Sequence, residues 1–190
     1  MSTPSEHPLV LASASPQREA ILRRLGVRFS VRPTGVAERE TGPAAEVALE
    51  NALRKAEAAV RPGVQETLLG ADTVVELDGA IYGKPEDLEA ARQTLERLSG
   101  ATHTVYTGIA LLREETQLAA VARTDVTFRS LPAQLLERCL ASGEWRGRAG
   151  AYAVQGLGAA LVRRIEGDYE NVVGLPVATL LDLWPELLDA

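Results

Sequence analysis

The segment Leu9–Leu25 narrows the possible folds most, because it runs a buried-type strand through a turn of small residues straight into a helix. Leu9, Val10 and Leu11 form an unbroken apolar run, the pattern of a strand covered on both faces. Ala12, Ser13 and Ala14 carry little side-chain bulk, so a ligand can come close to the backbone. Ser15 suits a helix N-cap, Pro16 the first helical position, and Ala20, Ile21 and Leu25 an apolar stripe that Gly26 terminates. Arg18 sits badly in this scheme. A cation in the first helical turn opposes the helix dipole by about 0.3–1 kcal/mol unless an anion lies between it and the unpaired amides. The pattern leaves two partners open, a phosphate or a surface ion pair with Glu19 or Glu38.

The rest of the chain alternates strands and helices, the order of an α/β fold. The expected elements after the first unit are a strand at Phe29–Arg32, an exposed charged loop at Val36–Pro43 and a helix over Ala44–Val60. A strand over Leu68–Leu77 then turns at Asp78-Gly79, the best hairpin signal in the sequence, and returns over Ala80–Tyr82. Leu88, Ala91, Leu95 and Leu98 share one face of a helix spanning Leu88–Leu98. Strands follow at Thr104–Leu112 and Leu118–Phe128, joined by a turn at Arg113–Glu115. A helix at Pro132–Leu140, a glycine-rich stretch at Gly143–Gly158, a strand at Leu161–Ile165, a turn at Glu166–Asp168 and a last helix at Val177–Leu188 complete the chain. With no repeat or linker in 190 residues, 46% of them hydrophobic, one domain over 1–190 is expected, in at most two lobes.

Composition excludes several classes. The single Cys139 allows no internal disulfide, and two histidines leave little for a Cys/His zinc site. A net charge of −6 speaks against a nucleic-acid-binding surface while permitting a local cationic pocket. Met1–His7 lacks an apolar signal core, residues 1–8 read as a flexible tail, and no apolar run is long enough to span a bilayer. These features predict a cytoplasmic protein with no membrane partner.

Asp72 is the strongest chemical signal. It interrupts the apolar strand Leu68–Val75, where an unpartnered carboxylate is costly, so it needs a metal, a cation or several donors. Glu38 and Glu40, in the charged loop, are candidates to share a divalent ion with it. Lys84 follows the hairpin in a segment that superficially suggests a P-loop, but the glycine spacing is short by one and Pro85 replaces the magnesium-binding hydroxyl. Lys84 matters chemically only if it converges with Arg18 and Lys55 on one ligand. Gln155, among small residues, can present its amide to the edge of a flat base. His103 reads as a structural histidine at a strand entry, and with no histidine or cysteine nucleophile the chemistry points to carboxylate and metal acting on a phosphate ester.

Four blocks in this order resemble the Maf family of nucleoside triphosphate pyrophosphatases over Leu9 to about Leu181. They are Leu11–Arg18, Gly70–Val75 with Gly83–Pro85, Leu98–Gly108, and Ser142–Glu144 through Gly150–Gly156 to Asn171–Pro176. The resemblance implies an elongated mixed sheet with flanking helices in two lobes around a cleft, similar to the inosine triphosphate pyrophosphatases. It implies hydrolysis of a nucleoside triphosphate with Mg2+ or Mn2+. Carried over by position, Asp72 is the catalytic acidic residue, accepting a proton from the attacking water or acting through a magnesium, Ser13, Arg18, Lys55 and Lys84 bind phosphate, and Glu38 completes the metal site with Asp72. Gln17, Thr73 and Gln155 are the specificity positions. Thr73 and Gln155 fit the dTTP/UTP type, whereas Gln17 stands where that type has arginine. A 7-methyl-GTP or modified-nucleotide substrate, and a nucleotide-sensing role in septum formation, remain as alternatives, and a homodimer is compatible with the fold.

Overall fold

The computed structural model of the protein describes residues 8–113 and 116–188, so residues 1–7 of the expected 1–8 tail and the tip of the Arg113–Glu115 turn lie outside the described residues, while Pro8 O accepts Thr67 N–H at 3.1 Å. The expected alternation is present. The elements are β1 (Leu9–Leu11), α1 (Pro16–Arg24), β2 (Phe29–Val31), α2 (Ala44–Ala58), β3 (Thr67–Leu77), β4 (Ala80–Tyr82) and α3 (Leu88–Leu98). They continue with β5 (Thr102–Arg113), β6 (Thr116–Phe128), α4 (Ala133–Ser142), β7 (Val162–Glu166), α5 (Tyr169–Val173) and α6 (Val177–Leu183). Together they form a mixed seven-stranded sheet in the order β2-β1-β3-β5-β6-β7, with β4 paired to β3.

The opening of the molecule follows from how β3 is paired. One flank of β3 is bonded to β5 from Thr67 to Glu76. The other flank is shared: parallel β1 takes Thr67–Leu69 and antiparallel β4 takes Val75–Leu77. Between them, Gly70–Val74 has no strand beside it, and the chain leaves β1 there into the Ser13–Ser15 turn. The sheet thus splits along this edge into two lobes, each with its own core. Leu11, Ile21, Leu69, Ile109, Leu175 and Leu180 fill one; Val75, Leu95, Val105, Phe128, Leu140 and Trp145 belong to the other.

Alternation along β3 sends Asp72 to the same sheet face as Leu68 and Gly70, and Thr73 to the opposite face. Helix α2 packs on the Asp72 face at very short range. A Cβ at Gly70 would lie 2.1 Å from the Ala52 carbonyl oxygen, and one at Gly108 only 2.3 Å from that of Ala48. These two glycines allow α2 to lie directly on the sheet.

Two local expectations are corrected, and one helix is added. Ser15 precedes α1 in extended conformation, but its side chain caps no amide and instead donates to Gln17 Oε1 at 3.1 Å. The last helix stops at Leu183, because Pro185 disfavours helical geometry at Trp184 (φ −139°) and lacks the N–H to continue; a 3-10 turn, Pro185–Leu188, follows. Helix α5, only five residues, has no apolar periodicity to announce it. His103 is structural, as expected: it is buried, bonded to Tyr152 Oη at 2.9 Å and set edge-on to Phe128. Among the described residues no helix is long and apolar enough to cross a membrane.

Candidate active site

The cleft at the β3 edge has a volume of about 480 Å³ and is lined by Ser13, Gln17, Arg18, Glu38, Lys55, Asp72, Thr73, Lys84 and Gln155, every residue that the family resemblance assigns to the site. Glu40 is exposed and outside this lining.

On the α2 face, Asp72 is 5% exposed and both its oxygens are partnered. Lys55 Nζ donates to Oδ1 at 2.6 Å and Asn51 Nδ2 to Oδ2 at 2.9 Å. The cation demanded by a carboxylate in an apolar strand is therefore supplied by the protein itself. Lys55 also donates to Glu38 Oε1 at 2.7 Å, and Lys84 Nζ reaches both Glu38 oxygens at 3.2 Å. Burial pushes the Glu38 carboxyl up, but the Lys55 bond and the Lys55 and Lys84 charges together hold it below the usual carboxylate range. Charges alternate along the row Asp72, Lys55, Glu38, Lys84. Asn51 anchors the loop that carries Glu38, accepting Arg39 N–H at 2.7 Å and donating to Arg39 O at 2.9 Å. Asn51 was not legible as a site residue by type alone; its position one helical turn before Lys55, on the same face of α2, was the available signal.

On the opposite face, Arg18 is 7% exposed. Its Nε donates to Gly174 O at 2.8 Å, Nη1 to Ser13 Oγ at 2.8 Å and Nη2 to Thr73 Oγ1 at 3.0 Å. All three acceptors are neutral. Burial lowers its pKa from the usual arginine value, an effect that the Asp72 and Glu38 charges oppose. The surface-pair alternative does not occur: Glu19 pairs with Arg23 instead, and Glu38 with the two lysines. Of five guanidinium N–H donors, three are used here and two are left for a ligand.

The Arg18 cradle is itself braced from below. Thr107 Oγ1 donates to Asn171 O at 3.1 Å, so in its 2.9 Å contact with Thr73 it must accept. The result is a one-way chain, Arg18 to Thr73 to Thr107 to the Asn171 carbonyl, whose members polarise one another. Asn171 in turn donates to Val105 O and to Thr124 Oγ1. Thr73, expected at a specificity position, thus spends its hydroxyl holding Arg18.

Gln155 lies exposed on the wall opposite the Ser13 turn, next to Gly156, where a Cβ would stand 2.4 Å from Glu144 Oε2. Arg146 and Arg148, which sequence reasoning missed, join that wall. Five cations then face two carboxylates in the cleft of a chain whose net charge is −6.

A buried arginine on neutral acceptors, an uncapped helix start and a cationic cleft at a split sheet edge define an α/β protein built to take a polyanionic ligand. The family model for Maf-like proteins matches residues 8–187, and the chain belongs to that family. It is 48% identical over 182 residues to the dTTP/UTP pyrophosphatase of Moorella thermoacetica, covering 92% of each chain. With the dTTP/UTP pyrophosphatase of Escherichia coli O157:H7 the identity is 43% over 180 residues, or 92% of this chain and 90% of the relative. Among solved structures, the Ham1 protein of Staphylococcus aureus matches 64% of this chain and 71% of its own, at 18% identity and a TM-score of 0.46.

Proposed function

We propose that the protein hydrolyses dTTP and UTP between the α and β phosphorus atoms, leaving the nucleoside monophosphate and releasing pyrophosphate. The observation that carries this reading is Arg18, desolvated in the cleft with neutral acceptors only, so that a bound phosphate becomes its counter-charge. Two relatives more than 40% identical over nine-tenths of the chain are named for that activity.

Splitting a triphosphate needs positioning, neutralised charge and an activated water more than covalent chemistry. Arg18 and Lys84 bind phosphate oxygens from the two sides of the split sheet edge, with the Ser13 turn and the uncapped amides of α1 between them. Asp72 accepts the proton of the attacking water. Each of its oxygens has one partner and a second lone pair to spare, while Lys55 and Asn51 prevent the carboxylate from turning. Gln155 presents both a donor and an acceptor to a pyrimidine edge, and Gln17 adds no charge to the Ser13 turn.

The carboxylates of Asp72 and Glu38 fit a hard divalent ion. They are oxygen donors bridged by one ammonium, and no cluster of three His, Cys, Asp or Glu side chains exists among the described residues. Mg2+ and Mn2+ are commonly held by one or two carboxylates plus substrate phosphates, whereas a structural zinc site is not made this way. When bound, such an ion offsets phosphate charge and acidifies its water.

Pyrophosphate release by the purified protein with Mg2+ or Mn2+, measured across UTP, dTTP and 7-methyl-GTP, tests this. The expected result is a kcat/KM at least about tenfold higher for the two pyrimidine nucleotides, a difference of about 1.4 kcal/mol in transition-state binding. A preference for 7-methyl-GTP refutes the substrate, and full turnover in Asp72→Asn refutes the catalytic assignment.

A further inference from the structure

The roles above use three of the five cleft cations, leaving Arg146 and Arg148. Arg146 is exposed and stacks over the Trp145 ring at 4.7 Å. Arg148 differs. It is partly buried in the segment entering the 3-10 turn Ala149–Ala151, on the second lobe's wall.

That segment is held beside Lys84. Gly150 N–H donates to Gly83 O at 3.3 Å, and Gly150 packs so closely on the sheet that a Cβ would lie 3.0 Å from Val75 Cγ2. With φ at +69°, Gly150 also takes a backbone conformation unfavourable to other residues. Arg148 therefore stands two residues from one end of this bond and Lys84 one residue from the other.

Arg18, Lys55 and Lys84 each have named acceptors, but Arg148 forms no ion pair among the described residues. Burial lowers its pKa from the ordinary arginine value, and only Glu144 opposes that shift. Glu144 is occupied elsewhere, its Oε2 accepting Leu157 N–H at 2.8 Å. A partly desolvated guanidinium facing a ligand cleft without a counter-charge is an incomplete site. Its planar fork of donors matches the oxygens of a phosphate.

We propose that Arg148 is a substrate-binding residue, the second lobe's contribution to the phosphate site, gripping the triphosphate beside Lys84. This rests on the nucleoside triphosphate reading of the cleft. The tail is then held from both lobes, by Arg18 on one and by Arg148 on the other, and the two walls of the split sheet are bridged by the ligand itself.

Two measurements on the full chain separate this from the enzymatic reading: the KM for UTP, and the affinity for inorganic tripolyphosphate by calorimetry, which needs no turnover. Arg148→Gln should weaken tripolyphosphate binding and raise the KM each by about tenfold or more, the range for losing charged hydrogen bonds. Its melting temperature should match wild type, and Arg148→Lys, which restores the charge but not the fork, should recover part of the loss. Unchanged tripolyphosphate affinity in Arg148→Gln overturns the assignment, as does a loss that tracks a lowered melting temperature and that Arg148→Lys fails to restore. If wild type binds tripolyphosphate yet releases no pyrophosphate from any nucleotide, the enzymatic reading fails while the titration still decides Arg148.

Discussion

Substituting Lys55→Met keeps the length of the side chain and deletes the ammonium that bridges Asp72 and Glu38. Lys55 Nζ lies 2.6 Å from Asp72 Oδ1, where two unit charges attract by roughly 6 kcal/mol at an effective dielectric constant of about 20. Removing the lysine also relieves its own desolvation, and Asp72 keeps the Asn51 bond at 2.9 Å. The net cost should be about 3–5 kcal/mol, the range for leaving one member of a buried pair uncompensated. Glu38 adds little, since its side chain is 34% exposed and retains Lys84. Urea titration near neutral pH measures the loss. The deciding arm is the double variant Lys55→Met with Asp72→Asn, which no longer buries an unpaired carboxylate. It should regain about 2 kcal/mol over the single variant. A Lys55→Met loss below about 1 kcal/mol, or a double variant no more stable than the single one, would refute the claim that the fold desolvates Asp72 and relies on Lys55 to compensate.

Thr73→Val removes the hydroxyl that accepts from Arg18 and donates to Thr107, with almost no change in volume. It should raise the KM for UTP about tenfold through a loosened Arg18, at a stability cost of about 1–3 kcal/mol; steady-state kinetics with an unaltered KM would dismiss the cradle. His103 supplies a pH dependence. Burial lowers its pKa from 6.5 to about 4, so the unfolded chain takes up the proton first as pH falls. Its contribution is complete above pH 6.5 and declines toward pH 4, by about 3 kcal/mol in all. Urea midpoints across that window should fall more steeply in wild type than in His103→Leu, and parallel curves would contradict the buried neutral imidazole.

Much of the architecture was legible because it rests on local pattern. The stripe Leu88, Ala91, Leu95 and Leu98 placed α3 to the residue, and Asp78-Gly79 placed the β3–β4 hairpin. The failures were also local. Pro185 was a visible stop signal that the apolar run over Val177–Leu188 concealed, and α5 is too short to show a period. In the cleft, residue types that are costly to bury, Asp72 and Arg18, declared themselves. Asn51, Thr107, Asn171 and Arg148 did not, since each is an ordinary residue until its partners are known.

The sequence by itself determined the strand–turn–helix unit, the acid in an apolar strand and the cations that must be answered, because burial cost and helical or strand period act within a few residues. Only the tertiary structure decided who answers whom. Arg18 could have met a surface glutamate; its Nε instead meets Gly174 O, 156 positions away, and its Nη2 meets Thr73. The cleft exists because β1 and β4 share one flank of β3 and leave Gly70–Val74 unpaired between them. Strand pairing of that kind is settled by contacts across the whole sheet, which no run of neighbouring residues encodes.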